Sequence, residues 1–135
     1  VNRAARILAI SSRKSLSDAL ADAFGAINYQ SVKGLYDDAA IQRNPVSIWQ
    51  VESLQRIPSD VAPFDLVIVD EPAALLAHVY QPGANSAARL GLTTARVLIQ
   101  KAVRICVTDN DLSEGHIMAF RIIRSGRASK VLVNA

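Results

Sequence analysis

The sequence predicts an α/β fold, an open and mostly parallel sheet with helices on both faces. Three observations carry that prediction. Short apolar runs rich in Val and Ile recur along the chain with little period-two alternation, as expected of parallel strands covered on both sides. Helical patterns lie between those runs. The two kinds of segment alternate from one end of the chain to the other, which is the order of a parallel α/β sheet.

The elements follow in order. Residues 6–10 form the first strand. Ser12 is placed to cap a helix that carries Leu16, Ala19, Leu20, Ala23 and Phe24 on one face, and Gly25 stands where its C-terminal cap belongs. Residues 26–32 make a weaker strand. Residues 46–51, 66–69 and 104–107 are further strands, and residues 131–133 close the chain with another. Residues 59–63 turn into the most apolar strand. Pro72 occupies the first turn of a helix over residues 73–79, where its missing N–H costs nothing. Residues 81–85, Gln-Pro-Gly-Ala-Asn, read as a loop whose Asn85 caps a longer helix from about Ser86 to Ala102. The last helix starts near Asp111 or Ser113, with Asp111-x-x-Glu114 as a capping box, and ends at Gly126. There is no internal repeat and no low-complexity stretch.

Composition narrows the class. The 135 residues make one domain, and a half-hydrophobic, one-fifth-charged chain has the material for a real core, which argues against global disorder. No apolar run approaches the roughly 18 residues of a membrane span, and no secretory signal is visible at the N-terminus. The single cysteine, Cys106, excludes an internal disulfide and a cysteine zinc cluster, and points to a reducing, intracellular setting. Cys106 and Trp49 both lie inside strands, so a buried inert thiol and a core indole are expected. His78 and His116 have no ligand-spaced companion and read as structural. The net charge is +3, and Arg121, Arg124, Arg127 and Lys130 crowd the C-terminal end. That cluster suits either a phosphate-binding surface or a helix end whose cations match its dipole.

The sharpest chemical feature is Phe64-Asp65-Leu66-Val67-Ile68-Val69-Asp70-Glu71. A run of apolar residues ends in two adjacent carboxylates, and in open α/β sheets ligands bind beyond the carboxyl ends of the strands. In nucleotide hydrolases this is the Walker B arrangement. The Asp holds Mg²⁺ and the Glu polarises the attacking water, because metal and nucleophile lie side by side on the terminal phosphate. The competing reading is a strand that ends in acids at a solvated helix N-terminus. The usual partner motif, G-x-x-x-x-G-K-[ST], does not occur among the six glycines. Two other strand ends carry polar residues. Ser11-Ser12-Arg13-Lys14 suits phosphodiester oxygens or a plain helix cap. Thr108-Asp109-Asn110-Asp111 suits a link to the metal site or a simple turn.

Taken in order, these segments resemble a known family. Ile7-Leu8-Ala9-Ile10-Ser11-Ser12-Arg13-Lys14-Ser15-Leu16 resembles motif Ia of superfamily 2 helicases, where S-x-R-x-x-L follows a strand and meets the DNA backbone. Gln50-Val51-Glu52-Ser53-Leu54 resembles the Q-x-E-S-L stretch of herpesvirus-type replication origin-binding proteins. Asp65 to Glu71 matches motif II, and Arg104-Ile105-Cys106-Val107-Thr108-Asp109-Asn110-Asp111-Leu112 resembles motif III of that family. The resemblance covers nearly the whole chain. It implies a single partial RecA-like domain of the P-loop NTPase type over residues 1–135, the inner part of an N-terminal helicase motor domain. It implies that Asp70 positions Mg²⁺ and Glu71 activates water. Ser11, Ser12 and Arg13 would grip single-stranded DNA, while Thr108, Asp109 and Asp111 would couple hydrolysis to DNA movement. ATP and Mg²⁺ are the implied cofactors of the complete protein, held weakly by this chain alone. The implied partners are single-stranded DNA and the remainder of the helicase, with no membrane.

The departures are specific. The phosphate loop, which should precede residue 1, the second RecA-like domain and the C-terminal origin-recognition module are all lacking. Motif II continues Pro72-Ala73, without the acid or His that closes many such boxes. A second expectation is therefore a non-catalytic α/β interaction module that has lost its nucleotide site. A phospho-acceptor domain built on Asp70 ranks lower, because it would want acids where Ser11, Ser12, Arg13 and Lys14 stand.

Overall fold

The computed structural model describes residues 4–11, 18, 21–23, 25–72, 77, 83, 86–108 and 114–124. Five strands form one sheet: β1 (Ile7–Ser11), β2 (Ile27–Asn28), β3 (Val46–Gln50), β4 (Leu66–Asp70) and β5 (Arg104–Thr108). Their order is β2-β3-β1-β4-β5, and every neighbouring pair is parallel. Three helices are described: α1 (Asp38–Arg43), α2 (Ser86–Lys101) and α3 (Glu114–Ile123). The α/β class expected from the apolar periodicity is the one observed, and four of the expected strands lie within a residue of their expected ends.

The register puts alternate residues on two faces. Ile7 lies opposite both Val46 and Leu66, and Leu66 lies opposite Arg104. One face therefore carries Leu8, Ile10, Trp49, Val67 and Val69, which are buried with Tyr36, Ile41 and the Ala95, Leu98 and Ile99 side of α2. The other carries Ala9 and Ile48, packed with Ala21. Along that second face runs an apolar hollow of about 530 Å³, floored by Ile7, Ala9, Ile48 and Ile68 and reaching Asp70 and Thr108 at the strands' C-terminal end.

Several expectations need correction. Residues 26–32 are not a strand throughout. β2 lasts two residues and gives way to a 3-10 turn over Tyr29–Ser31. The side-chain oxygen of Asn28 accepts from the Gln30 N–H at 3.0 Å, so a local bond replaces the ladder. Cys106 is exposed rather than buried. β5 is the last strand of the described sheet, and its Arg104, Cys106 and Thr108 side chains are exposed while Ile105 and Val107 pack on the core. β5 is therefore not covered on both faces. Two elements have no counterpart in the sequence reading. Asp37 caps α1 through the Ala40 N–H at 3.0 Å, and a 3-10 turn over Val51–Arg56 follows β3.

Other expectations hold. Trp49 is fully buried. Gly25 has φ +63°, and the Ala26 N–H donates to the Ala21 carbonyl at 3.1 Å, the pattern of a glycine-terminated helix. The expected caps at Ser12, Asn85, Asp111 and Gly126, the strand at residues 131–133, His78 and the His116 side chain lie outside the described residues.

α2 is seated by a backbone contact. A Cβ at Gly91 would lie 1.7 Å from the Val51 carbonyl oxygen, so the helix meets the turn after β3 with no side chain between them. Basic side chains then tie loop carbonyls to the frame. Arg56 donates to the carbonyls of Tyr29 (3.2 Å), Gly34 (2.8 Å) and Val32 and stacks over Trp49 at 5.3 Å. Lys101 donates to the carbonyls of Ser59, at 2.8 Å, and Val61. Arg6 pairs with Asp38 at 2.8 Å, and that hydrogen bond holds the Asp38 carboxyl below its ordinary value.

Gly91→Ala is expected to destabilise the protein by about 3 kcal/mol, the upper part of the overpacking range, despite the better helix propensity of Ala. The obstacle is a carbonyl of the main chain, which cannot swing aside. Urea unfolding of the two proteins measures this, and an unchanged midpoint would show that α2 is not seated on Val51.

Candidate functional site

Polar groups collect where the strands end. β4 delivers Asp70 as its last residue, and the parallel register sets it opposite Thr108, the last residue of β5. The Thr108 hydroxyl donates to Asp70 Oδ1 at 3.1 Å. Asp70 Oδ2 is buried and has no hydrogen-bond partner among the described residues. A buried carboxylate oxygen without a donor is costly, so this atom is free to accept from a bound group.

Glu71 follows at once. Its N–H donates to the Thr108 carbonyl at 2.7 Å, which adds one ladder bond after the last paired residues. Its φ is +50°, the left-handed region. Pro72 is already helical and is buried. The chain thus turns off the sheet within one residue, and one carboxylate oxygen of Glu71 is enclosed in the turn.

Thr108 therefore holds both acids, Asp70 by its hydroxyl and Glu71 by its carbonyl. The sequence reading brought Asp70 and Glu71 together by adjacency and named Thr108 from the end of another strand. The structure unites all three. The sequence alone cannot single out the Thr108 carbonyl, because every residue has one and only the register selects this one.

The other candidates are placed differently. Ser11 is buried at the end of β1, opposite Gln50, whose side-chain oxygen accepts from the Tyr29 hydroxyl at 3.0 Å. Ser12, Arg13, Asp109 and Asp111 lie outside the described residues. In the basic C-terminal cluster, Arg121 is exposed but Arg124 is buried. Arg124 donates to the carbonyls of Ile99 (3.0 Å), Val103 (3.2 Å) and Ala102 at the C-terminal end of α2. Arg124 is thus removed from any phosphate-binding surface and serves as a helix cap from another element. Arg127 and Lys130 lie outside the described residues.

A metal has limited protein ligation here. Among the described residues no group of three or more His, Cys, Asp or Glu side chains gathers to hold one. Mg²⁺ does not require such a group. It commonly takes one or two carboxylates and fills its shell with water and phosphate oxygens. Asp70 Oδ2, without a partner among the described residues, fits that mode.

A family model described as origin of replication binding protein matches residues 1–135. Comparison with curated proteins and with solved structures finds no match.

The Thr108–Asp70 contact is measurable on its own. A double-mutant cycle with Thr108→Val and Asp70→Ala should give a coupling of about 0.5–1.5 kcal/mol in unfolding free energy. Strict additivity of the two substitutions would mean that the hydroxyl does not hold the carboxylate.

Proposed function

The chain belongs to the origin-of-replication-binding family, and on that premise we propose that it forms part of the motor domain of an ATP-dependent DNA helicase acting at replication origins. The observation that carries this reading is the pair of acids at the end of β4, with one buried oxygen of Asp70 left without a partner among the described residues. A parallel sheet with that pair on its C-terminal edge is what a RecA-like nucleotide site requires.

In this reading Asp70 would hold the metal, with its Oδ1 fixed by Thr108. When bound, Mg²⁺ neutralises charge on the phosphates and orients the terminal one. Glu71, one residue on, accepts the proton of the attacking water. Thr108 is attached to both acids, so any movement of the segment after β5 reaches them directly. Asp109 and Asp111 continue that segment, and the proposed coupling of hydrolysis to DNA movement runs through it. Ser12 and Arg13, next to the end of β1, are the proposed contacts to single-strand phosphates. Ser11 is buried, so in this reading it supports that segment, and its own phosphate contact needs the strand end to open. Among the described residues no helix is long and apolar enough to cross a membrane.

The 135 residues contain no G-x-x-x-x-G-K-[ST], so turnover is expected only in a protein that also carries one. In that complete protein Glu71→Gln should lower ATP turnover by roughly 10²–10⁴-fold, the usual weight of a general base, and leave nucleotide binding in place. Parental turnover in Glu71→Gln would overturn the reading.

Titration of the chain with labelled single-stranded DNA tests the phosphate contacts. Binding should fall near the weak end of roughly 10⁻⁴–10⁻⁶ M at physiological salt and weaken steeply as salt rises. Arg13→Ala should lower it about equally for unrelated sequences. No binding at low salt would remove the DNA role of this segment and favour the interaction module.

A further inference from the structure

We propose that Glu71 occupies a strained backbone position, held by the Thr108 carbonyl and kept for the sake of its carboxylate, so that glycine at position 71 gives a more stable protein than alanine does. The proposal rests on the role given to Glu71 above and adds a structural cost to it.

The described residues have four positive φ angles. Three belong to Gly25, Gly34 and Gly83, and the fourth to Glu71. At those three glycine positions the sequence supplies the residue that adopts this conformation without penalty. At position 71 it supplies a long acidic side chain, for which the left-handed region is unfavourable.

Three restraints impose the conformation. The Glu71 N–H is bound to the Thr108 carbonyl at 2.7 Å, so its amide stays on the sheet. Asp70, the residue before, is held by the Thr108 hydroxyl. Pro72, the residue after, is helical and buried, and a proline disfavours the α region for its predecessor while fixing its own φ. The whole change of direction from strand to helix falls on one residue. Strain held in this way beside reacting groups is a known use of overdetermined backbone. Here it fixes the direction of Glu71 through the main chain.

Thermal unfolding of the 135-residue chain with Glu71→Gly, Glu71→Ala and Glu71→Gln tests the proposal. Any contact of the Glu71 side chain is lost equally in the Gly and Ala variants, so their difference isolates the backbone. The Gly variant should melt roughly 3–6 °C above the Ala variant, as expected for relief of one left-handed residue in a domain of this size. At an unstrained position the order reverses, because glycine costs stability relative to alanine. An Ala variant melting at or above the Gly variant overturns the proposal. Thr108→Ala keeps the carbonyl, so the Gly-over-Ala difference should persist in that background. Its disappearance would overturn the assignment of the restraint to the Thr108 main chain. The two layers separate cleanly in the complete protein. Lost turnover in Glu71→Gln with Ala melting above Gly sinks the strain alone. Gly melting above Ala with parental turnover in Glu71→Gln sinks the catalytic reading, and with it the reason proposed for the strain.

Discussion

The backbone contact between Gly91 and Val51 is the constraint on which the rest of the structure depends. α2 approaches the turn after β3 so closely that a single methyl group at position 91 would overlap a carbonyl oxygen. That approach sets the depth at which α2 lies over the sheet. Ala95, Leu98 and Ile99 of the same helix then close on Leu8, Ile10, Val67 and Val69. Protein interiors are packed too densely to absorb a displaced helix. A shift of α2 would therefore be felt at β1 and β4, the central strands of the sheet.

Around that frame, three cations among the described residues bind main-chain oxygen. Arg56, Lys101 and Arg124 each bind two or more loop or helix-end carbonyls that local structure leaves open. Arg56 also lies on Trp49, whose indole N–H donates to Ser47 within the core at 2.9 Å. Arg suits this use, with five donors in a fixed fork and a charge it keeps when half-buried. These three cations are therefore engaged by the fold and less free for direct contact with a polyanion.

The candidate site shows the opposite economy. Asp70 keeps a buried oxygen without a donor among the described residues, and Glu71 sits in a conformation the rest of the described chain reserves for glycine. A sequence selected only for stability would relieve both. Local rules fail where chemistry competes with folding, and here two failures fall on adjacent residues at the end of one strand. Thr108 joins them, because a parallel register lets one residue of β5 reach Asp70 by its side chain and Glu71 by its carbonyl.

Periodicity and local chemistry determined the element types, the strand cores, the burial of Trp49, the glycine stop at Gly25 and the position of Asp70 and Glu71 at a strand end. These depend on neighbours a few residues away, so a linear reading reaches them. Short elements escaped it. The six-residue α1 and the turn over Val51–Arg56 have too few residues to show a period, although the Asp37–Asp38 pair was a legible cap signal. Strand order, edge position and register were decided only by the tertiary structure. The order made β5 the outermost described strand and left Cys106 exposed. The packing of α3 beside α2 turned Arg124 inward. The register chose Thr108 as the residue that binds both acids. Each of these depends on residues between 21 and 38 positions apart, and no local pattern in a sequence encodes which distant segment will lie alongside.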